Sequence, residues 1–255
     1  MLKSHFKGTG LQFKEHQVYV PGDDVRFIDW KILAKTSNPY VKTFDEERNV
    51  EIVVVLDISA TMFFGDRGVT KLQAAIELCC LLYLLAKETN DYVHVLVVGN
   101  ELVDIPKKSG DFGIIALIST LQEMGVLDSQ GKVDHRYQDQ IADTDDESKK
   151  YKSIMKHVGK KRELVILSDF NGLLSTEHLR RLLFRKNVHC FQILSLVDRS
   201  DSFPYMIKAV QSENSKKGMY QINFKKKDMN ETLGKRIKQL NVEDRYLEDF
   251  IKEMM

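Results

Sequence analysis

Between Glu51 and Asp57 the chain reads Ile-Val-Val-Val-Leu, five apolar residues with no polar alternation. A strand with one wet face alternates between apolar and polar. A continuous apolar run predicts a strand covered on both faces, as in a parallel sheet sandwiched by helices. The run closes on Asp57, and hydroxyls follow at Ser59 and Thr61. Alternate residues of an extended chain point the same way, so these three side chains converge at the strand's C-terminal end. Open α/β sheets place their ligands at that edge. Three hard oxygen donors there suit a Mg²⁺-class cation.

The rest of the chain supports such a sheet. Lys71 to Lys87 is apolar around most of its circumference and predicts a deeply buried helix. Tyr92 to Val98 predicts a strand, with Glu101 to Ile105 pairing back across Gly99-Asn100 as an antiparallel edge. Phe112 to Met124 predicts a helix. Residues 125–150 are polar and acidic and predict a long mobile loop, with a helix from Glu147 to His157. Leu164 to Leu167 predicts a strand ending at Ser168-Asp169; Thr176 to Phe184 a helix; Val188 to Leu196 a strand. Two helical patterns close the chain, Met229 to Leu240 and Glu243 to Met254. The expected fold class is α/β, an open, mostly parallel sheet with helices on both faces.

Bulk properties exclude several functions. The 255 residues are 43% hydrophobic, enough for one substantial core. A net charge of +1 gives no drive toward nucleic acid or anionic membrane. Lys216-Lys217 and Lys225 to Lys227 are short clusters without interleaved aromatics and read as solvated surface. The longest apolar run, Leu78 to Ala86, is too short to span a bilayer, and the first residues lack a signal core. Cys79, Cys80 and Cys190 form no disulfide framework and read as reduced thiols. A cytoplasmic protein without membrane insertion is expected. The seven histidines show no sequence spacing that would hold zinc, so no zinc site is expected.

Asp57 and Asp169 each end an apolar strand, and in a parallel sheet both lie on one edge. Thr144, in the loop before the Glu147 helix, could bring a third hydroxyl. The candidate metal ligands are therefore Asp57, Ser59, Thr61, Thr144 and Asp169. An octahedral ion held by five oxygens keeps one position open for water or for a partner's carboxylate. Each residue also has a plainer reading: Ser59 and Thr61 as turn or cap residues, Thr144 as an N-cap, Asp169 as a turn residue before Asn171-Gly172.

The segment from Gly8 through Pro21-Gly22-Asp23-Asp24 to Ile28-Asp29-Trp30 resembles the signature of domain-of-unknown-function family fifty-eight. Pro39 to Arg48, Phe64-Gly65, Asn90-Asp91 and Leu167 to Phe170 fit the same family. The resemblance implies a von Willebrand factor A-like core over 51–200, preceded by a family-specific segment, 1–50, packed on it; the two helical patterns of the tail make 201–255 a helical extension. It implies a metal-ion-dependent adhesion site of the form Asp-x-Ser-x-Ser, a distant Thr, then an Asp. Asp57, Ser59 and Asp169 match, Thr61 stands where serine is usual, and Thr144 is the best placed distant Thr. It also implies association with a bacterial MoxR-type AAA+ ATPase. Asp23, Asp24, Arg26 and Asp29 would serve either as an ion-pair lattice clamping the N-terminal segment or as a structural turn anchored by Ile28 and Trp30.

Three functions remain open. The first is a non-enzymatic adaptor whose Mg²⁺ (or Mn²⁺ or Ca²⁺) accepts an acidic side chain from a partner, the MoxR-type ATPase or its client protein. ATP hydrolysis would be the partner's, because the chain has no Gly-x-x-x-x-Gly-Lys-Ser/Thr loop. The second is a haloacid-dehalogenase-like Mg²⁺-dependent phosphatase with Asp57 as nucleophile, in which Ser59 would replace the usual acid/base aspartate. The third is a metal-free A-like scaffold that binds through helices or its acidic loop.

Overall fold

A computed structural model describes residues 10–47, 50–66, 68–140, 147–159, 162–199, 207–210, 217–220, 233 and 236–254. The chain divides into two compact units between Val50 and Glu51.

In the first unit, strand β1 (Gly10–Val18) pairs antiparallel with β2 (Tyr40–Glu47), with a register shift between Phe13 and Glu15. The acids between them are used locally. Asp23 accepts the Val20 N–H at 2.9 Å. Asp24 caps a short 3-10 turn, Val25–Phe27. Asp29 caps helix α1 (Trp30–Thr36), accepting the Lys31 and Ile32 N–H groups at 2.9 and 3.2 Å. Such caps satisfy backbone donors that the first helical turn leaves open. His16 and Lys42 each stand 3.1 Å from Asp29 and, with those N–H groups, hold its carboxyl well below the usual range. Asp23, Asp24 and Asp29 thus act as turn and cap residues, and Arg26 pairs with Asp24 at 2.6 Å. Trp30, expected as an apolar anchor, is instead 66% exposed.

The second unit is an α/β fold around a six-stranded sheet. Strand β3 (Glu51–Asp57) is followed by a small hairpin, β4 (Gly65–Asp66) and β5 (Val69–Thr70), and by helix α2 (Lys71–Thr89). Next come β6 (Tyr92–Val98), β7 (Leu102–Lys108), α3 (Gly110–Glu123) and α4 (Glu147–His157). Then follow β8 (Arg162–Ser168), α5 (Thr176–Leu183), β9 (Val188–Leu194) and α6 (Leu196–Arg199). A two-stranded ribbon, β10 (Ile207–Val210) with β11 (Lys217–Tyr220), precedes β12 (Ile237–Asn241) and α7 (Tyr246–Met254).

The sheet order is β12-β9-β8-β3-β6-β7, parallel except for the antiparallel edge β7. The expected pairing across Gly99 is present. The apolar run of β3 explains itself by burial. Val54 and Leu56 pack into one core with α2, α3 and α7, while Val53 and Val55 pack into a second with α4 and α5. Successive residues thus serve opposite faces. Gly113 lets α3 lie against α2, since a Cβ there would stand 2.1 Å from the Tyr83 ring.

Two expectations are corrected. Residues 125–140 are not an open loop: Val126 and Leu127 are buried, Leu127 bridges Val133, and a 3-10 helix runs from His135 to Gln140. Ile237 to Leu240, read as helical, is the sixth strand, parallel to β9. A spacing of three fits one helical face, but in a strand it places the two residues on opposite faces. Ile237 lies in the α4/α5 core and Leu240 in the α2/α3 core.

Candidate metal centre at the sheet edge

Strand order reverses between β3 and β8. The chain fills β6 and β7 on one side of β3, then crosses to β8, β9 and β12 on the other. The gap above such a reversal is where doubly wound sheets bind ligands. Leu56 is in register with Leu167, so Asp57 and Ser168-Asp169 emerge together at this point.

Asp57 is 1% exposed. Its Oδ1 accepts the Ser59 N–H at 2.9 Å and its Oδ2 accepts the Ser168 hydroxyl at 2.5 Å. Burial, and next the neighbouring Asp169 charge, push its carboxyl up to about 6. Ser59 Oγ lies 3.5 Å from Thr61 Oγ1. The second loop meets the first closely: a Cβ on Gly172 would stand 3.8 Å from Ser59 Cβ. The structure therefore brings Asp57, Ser59, Thr61 and Asp169 to one edge. Thr144 lies outside the described residues.

The Asp169 loop is held in an uncommon conformation. Phe170 has φ of 59°, a left-handed value that costs a bulky residue about 1–3 kcal/mol. Its N–H bonds Ser168 Oγ at 2.8 Å and its ring is buried. Ser168 thus ties Asp57 to the turn that presents Asp169.

The residue that sequence reasoning missed is Lys71. Its side chain is 1% exposed, and its Nζ stands 2.7 Å from Asp169 Oδ2 and 3.0 Å from Asp198 Oδ1. Asp198 in turn accepts the Ser195 N–H and hydroxyl at 2.8 and 2.9 Å. A signal was present. Lys71 opens a helix whose next five residues include four buried apolar ones, Leu72, Ala74, Ala75 and Ile76. A cation is disfavoured in a helix's first turn and in an apolar interior, so it demands an acid from elsewhere.

The donors fit a hard cation. Four side chains offer only oxygens, and each carboxylate keeps acceptor capacity beyond the bonds named above. Asp57, Asp169 and Asp198 against one ammonium leave excess negative charge. A buried acid raised to about 6 also gains from a nearby cation that stabilises its ionised form. When bound, Mg²⁺ would supply a Lewis-acidic coordination position for an anionic oxygen.

The fold and its edge define an open, doubly wound α/β unit with a carboxylate-hydroxyl site at the switch point. The chain belongs to the family described as "Protein of unknown function DUF58", which it matches over residues 15–239. It is 30% identical over 104 residues to the uncharacterized proteins Rv1480 of Mycobacterium tuberculosis and Mb1516 of Mycobacterium bovis. That match covers 40% of this chain and 33% of each relative, so it spans a third of their length. A crystal structure of the conserved hypothetical protein BatB from Bacteroides thetaiotaomicron aligns with a TM-score of 0.46 at 15% identity, covering 80% of this chain and 98% of that one. An aerotolerance-related membrane protein from Bacteroides fragilis gives 0.45 at 13%, with the same coverage. Among the described residues no helix is long and apolar enough to cross a membrane.

Proposed function

We propose that this protein is a non-enzymatic adaptor, von Willebrand factor A-like in its second unit, that docks an acidic side chain of a partner on a divalent cation. Asp57, Ser59, Thr61 and Asp169 are the ion's ligands in this reading, Thr144 is a further one, and Mg²⁺ is the favoured ion with Mn²⁺ or Ca²⁺ as substitutes. The observation that carries it is the pairing of two buried aspartates at the strand-order reversal, with Asp57 pushed up to about 6 by burial and by its neighbour. Coordination in a partly desolvated site gives specificity from few atoms. The family resemblance supplies the partner class, a MoxR-type AAA+ ATPase or its client, in the cytoplasm of a bacterium.

A second reading has one observation behind it. Lys71 already presents a cation to Asp169. In a metal-free scaffold that ammonium would suffice, and partners would bind elsewhere. Capture of the cognate ATPase from a lysate, with and without chelator, separates the two. The adaptor reading predicts capture in Mg²⁺, loss in chelator, and loss in Asp57→Ala. Capture that ignores both treatments favours the scaffold. Turnover of a generic phosphate ester that depends on Asp57 would contradict both.

A further inference from the structure

A second cluster stands away from the Asp57 edge. His94 lies toward the start of β6, Asp104 on β7 and His157 in the last turn of α4. Asp104 is opposite Leu96, so it shares a sheet face with His94 one diagonal step away. That face is the one covered by α4, and Leu96 packs in the same core as Ile154. The ladder between β6 and β7 is irregular between Val93 and Val95. Pro106, which has no N–H to give a ladder, stands in the facing strand there. Irregularities of this kind re-aim side chains.

His94 Nε2 is 2.6 Å from Asp104 Oδ1. The His157 ring meets the His94 ring edge-on with centroids 4.9 Å apart. One ligand atom from each of the three residues lies within 4.8 Å of the other two. Two ligands on one tetrahedral zinc stand about 3.4 Å apart, so small rotations of these side chains satisfy the ion. The Asp104 side chain is 49% exposed, which leaves solvent a path to the cluster.

The opposite nitrogen of His94 is also provided for. Glu51 Oε1 stands 3.8 Å from His94 Nδ1 and is itself held by Arg162 Nε at 3.2 Å, with Lys107 at 4.0 Å from its other oxygen. A carboxylate that accepts a histidine's second N–H orients a metal-ligating imidazole, and Glu51, at 3.8 Å, is one small side-chain rotation from that bond.

We propose that His94, Asp104 and His157 form a second metal site, selective for a borderline divalent ion such as zinc, with Glu51 as the positioning carboxylate and a fourth position open to solvent. Two imidazoles and one carboxylate are the donor set that such ions prefer and Mg²⁺ does not. Histidines with no zinc spacing in the sequence come together only because β6, β7 and α4 cover one another.

The test is zinc titration of the whole purified protein by calorimetry, with cobalt absorption as a spectroscopic readout. The site predicts one equivalent bound with micromolar or tighter affinity, unaffected by millimolar Mg²⁺. His157→Ala and Asp104→Ala should each weaken it tenfold or more while thermal melting in chelator stays cooperative. Asp104 is half-exposed, so that variant keeps the test valid if His157→Ala fails to fold. Asp57→Ala should bind zinc as the parent does. Absence of binding below millimolar zinc, unchanged binding in Asp104→Ala, or loss in Asp57→Ala would each overturn the proposal. None of these results depends on capture of an ATPase.

Discussion

Strand β3 carries an acid at each end, and the two are treated in opposite ways. Glu51 opens the strand with basic groups around it: Arg162, Lys107 and His94. Asp57 closes it almost without solvent, and its hydrogen bonds come from a hydroxyl and a backbone N–H. The buried ammonium at this end, Lys71, pairs with Asp169 and Asp198. One end is a partly wet cluster in which the acid is met by cations. The other keeps a carboxylate where its ionised form is disfavoured, which is an arrangement a resident cation would reward.

The largest effect that sharpens this contrast is expected at Lys71. Removing one partner of a buried pair strands the other's charge, so Lys71→Ala should cost about 3–5 kcal/mol of unfolding free energy. Urea denaturation reads it directly. A loss under about 1 kcal/mol would make the buried pair no different from a surface one.

A smaller effect concerns pH. Asp57 is raised from 3.8 to about 6, so the folded state binds its proton more tightly than the unfolded chain does. Its contribution to stability is fully present in acid and is lost as pH rises from about 4 to about 6, by about 3 kcal/mol in all. Asp57→Asn cannot ionise. The parent's urea midpoint, plotted against that of Asp57→Asn in chelator, should therefore fall away through that window. Saturating Mg²⁺ should close the gap at neutral pH. Parallel profiles for the two proteins would break the contrast at its buried end.

The smallest effect belongs to the opposite end. Arg162 is partly exposed, and Arg162→Ala should change stability by no more than about 1 kcal/mol. A cost comparable with that of Lys71→Ala would erase the difference between the two ends.

Much of this was legible in the sequence because β3 announces itself. Val53 to Leu56 serve two cores at once, and no amphipathic element could tolerate that run. Asp57, Ser59 and Thr61 follow by period, and Asp169 by the parallel register. Lys71 was harder, since its acid lies 98 residues away and only the fold brings them together. Ile237 and Leu240 misled because a spacing of three satisfies a helix and also a doubly covered strand. Residues 125–140 misled because their polar composition hides two buried anchors, Val126 and Leu127. The His94 cluster is invisible at the level of spacing, being assembled from two strands and a helix.

In the adaptor reading, Asp57 at the end of β3 and Asp169 just past β8 share one ion. A crystal grown with Mn²⁺, examined by anomalous scattering, tests it most directly. A peak is expected between the Asp57 and Asp169 carboxylates, absent from Asp57→Ala crystals. A Mn²⁺-saturated crystal with no peak at that edge would contradict it.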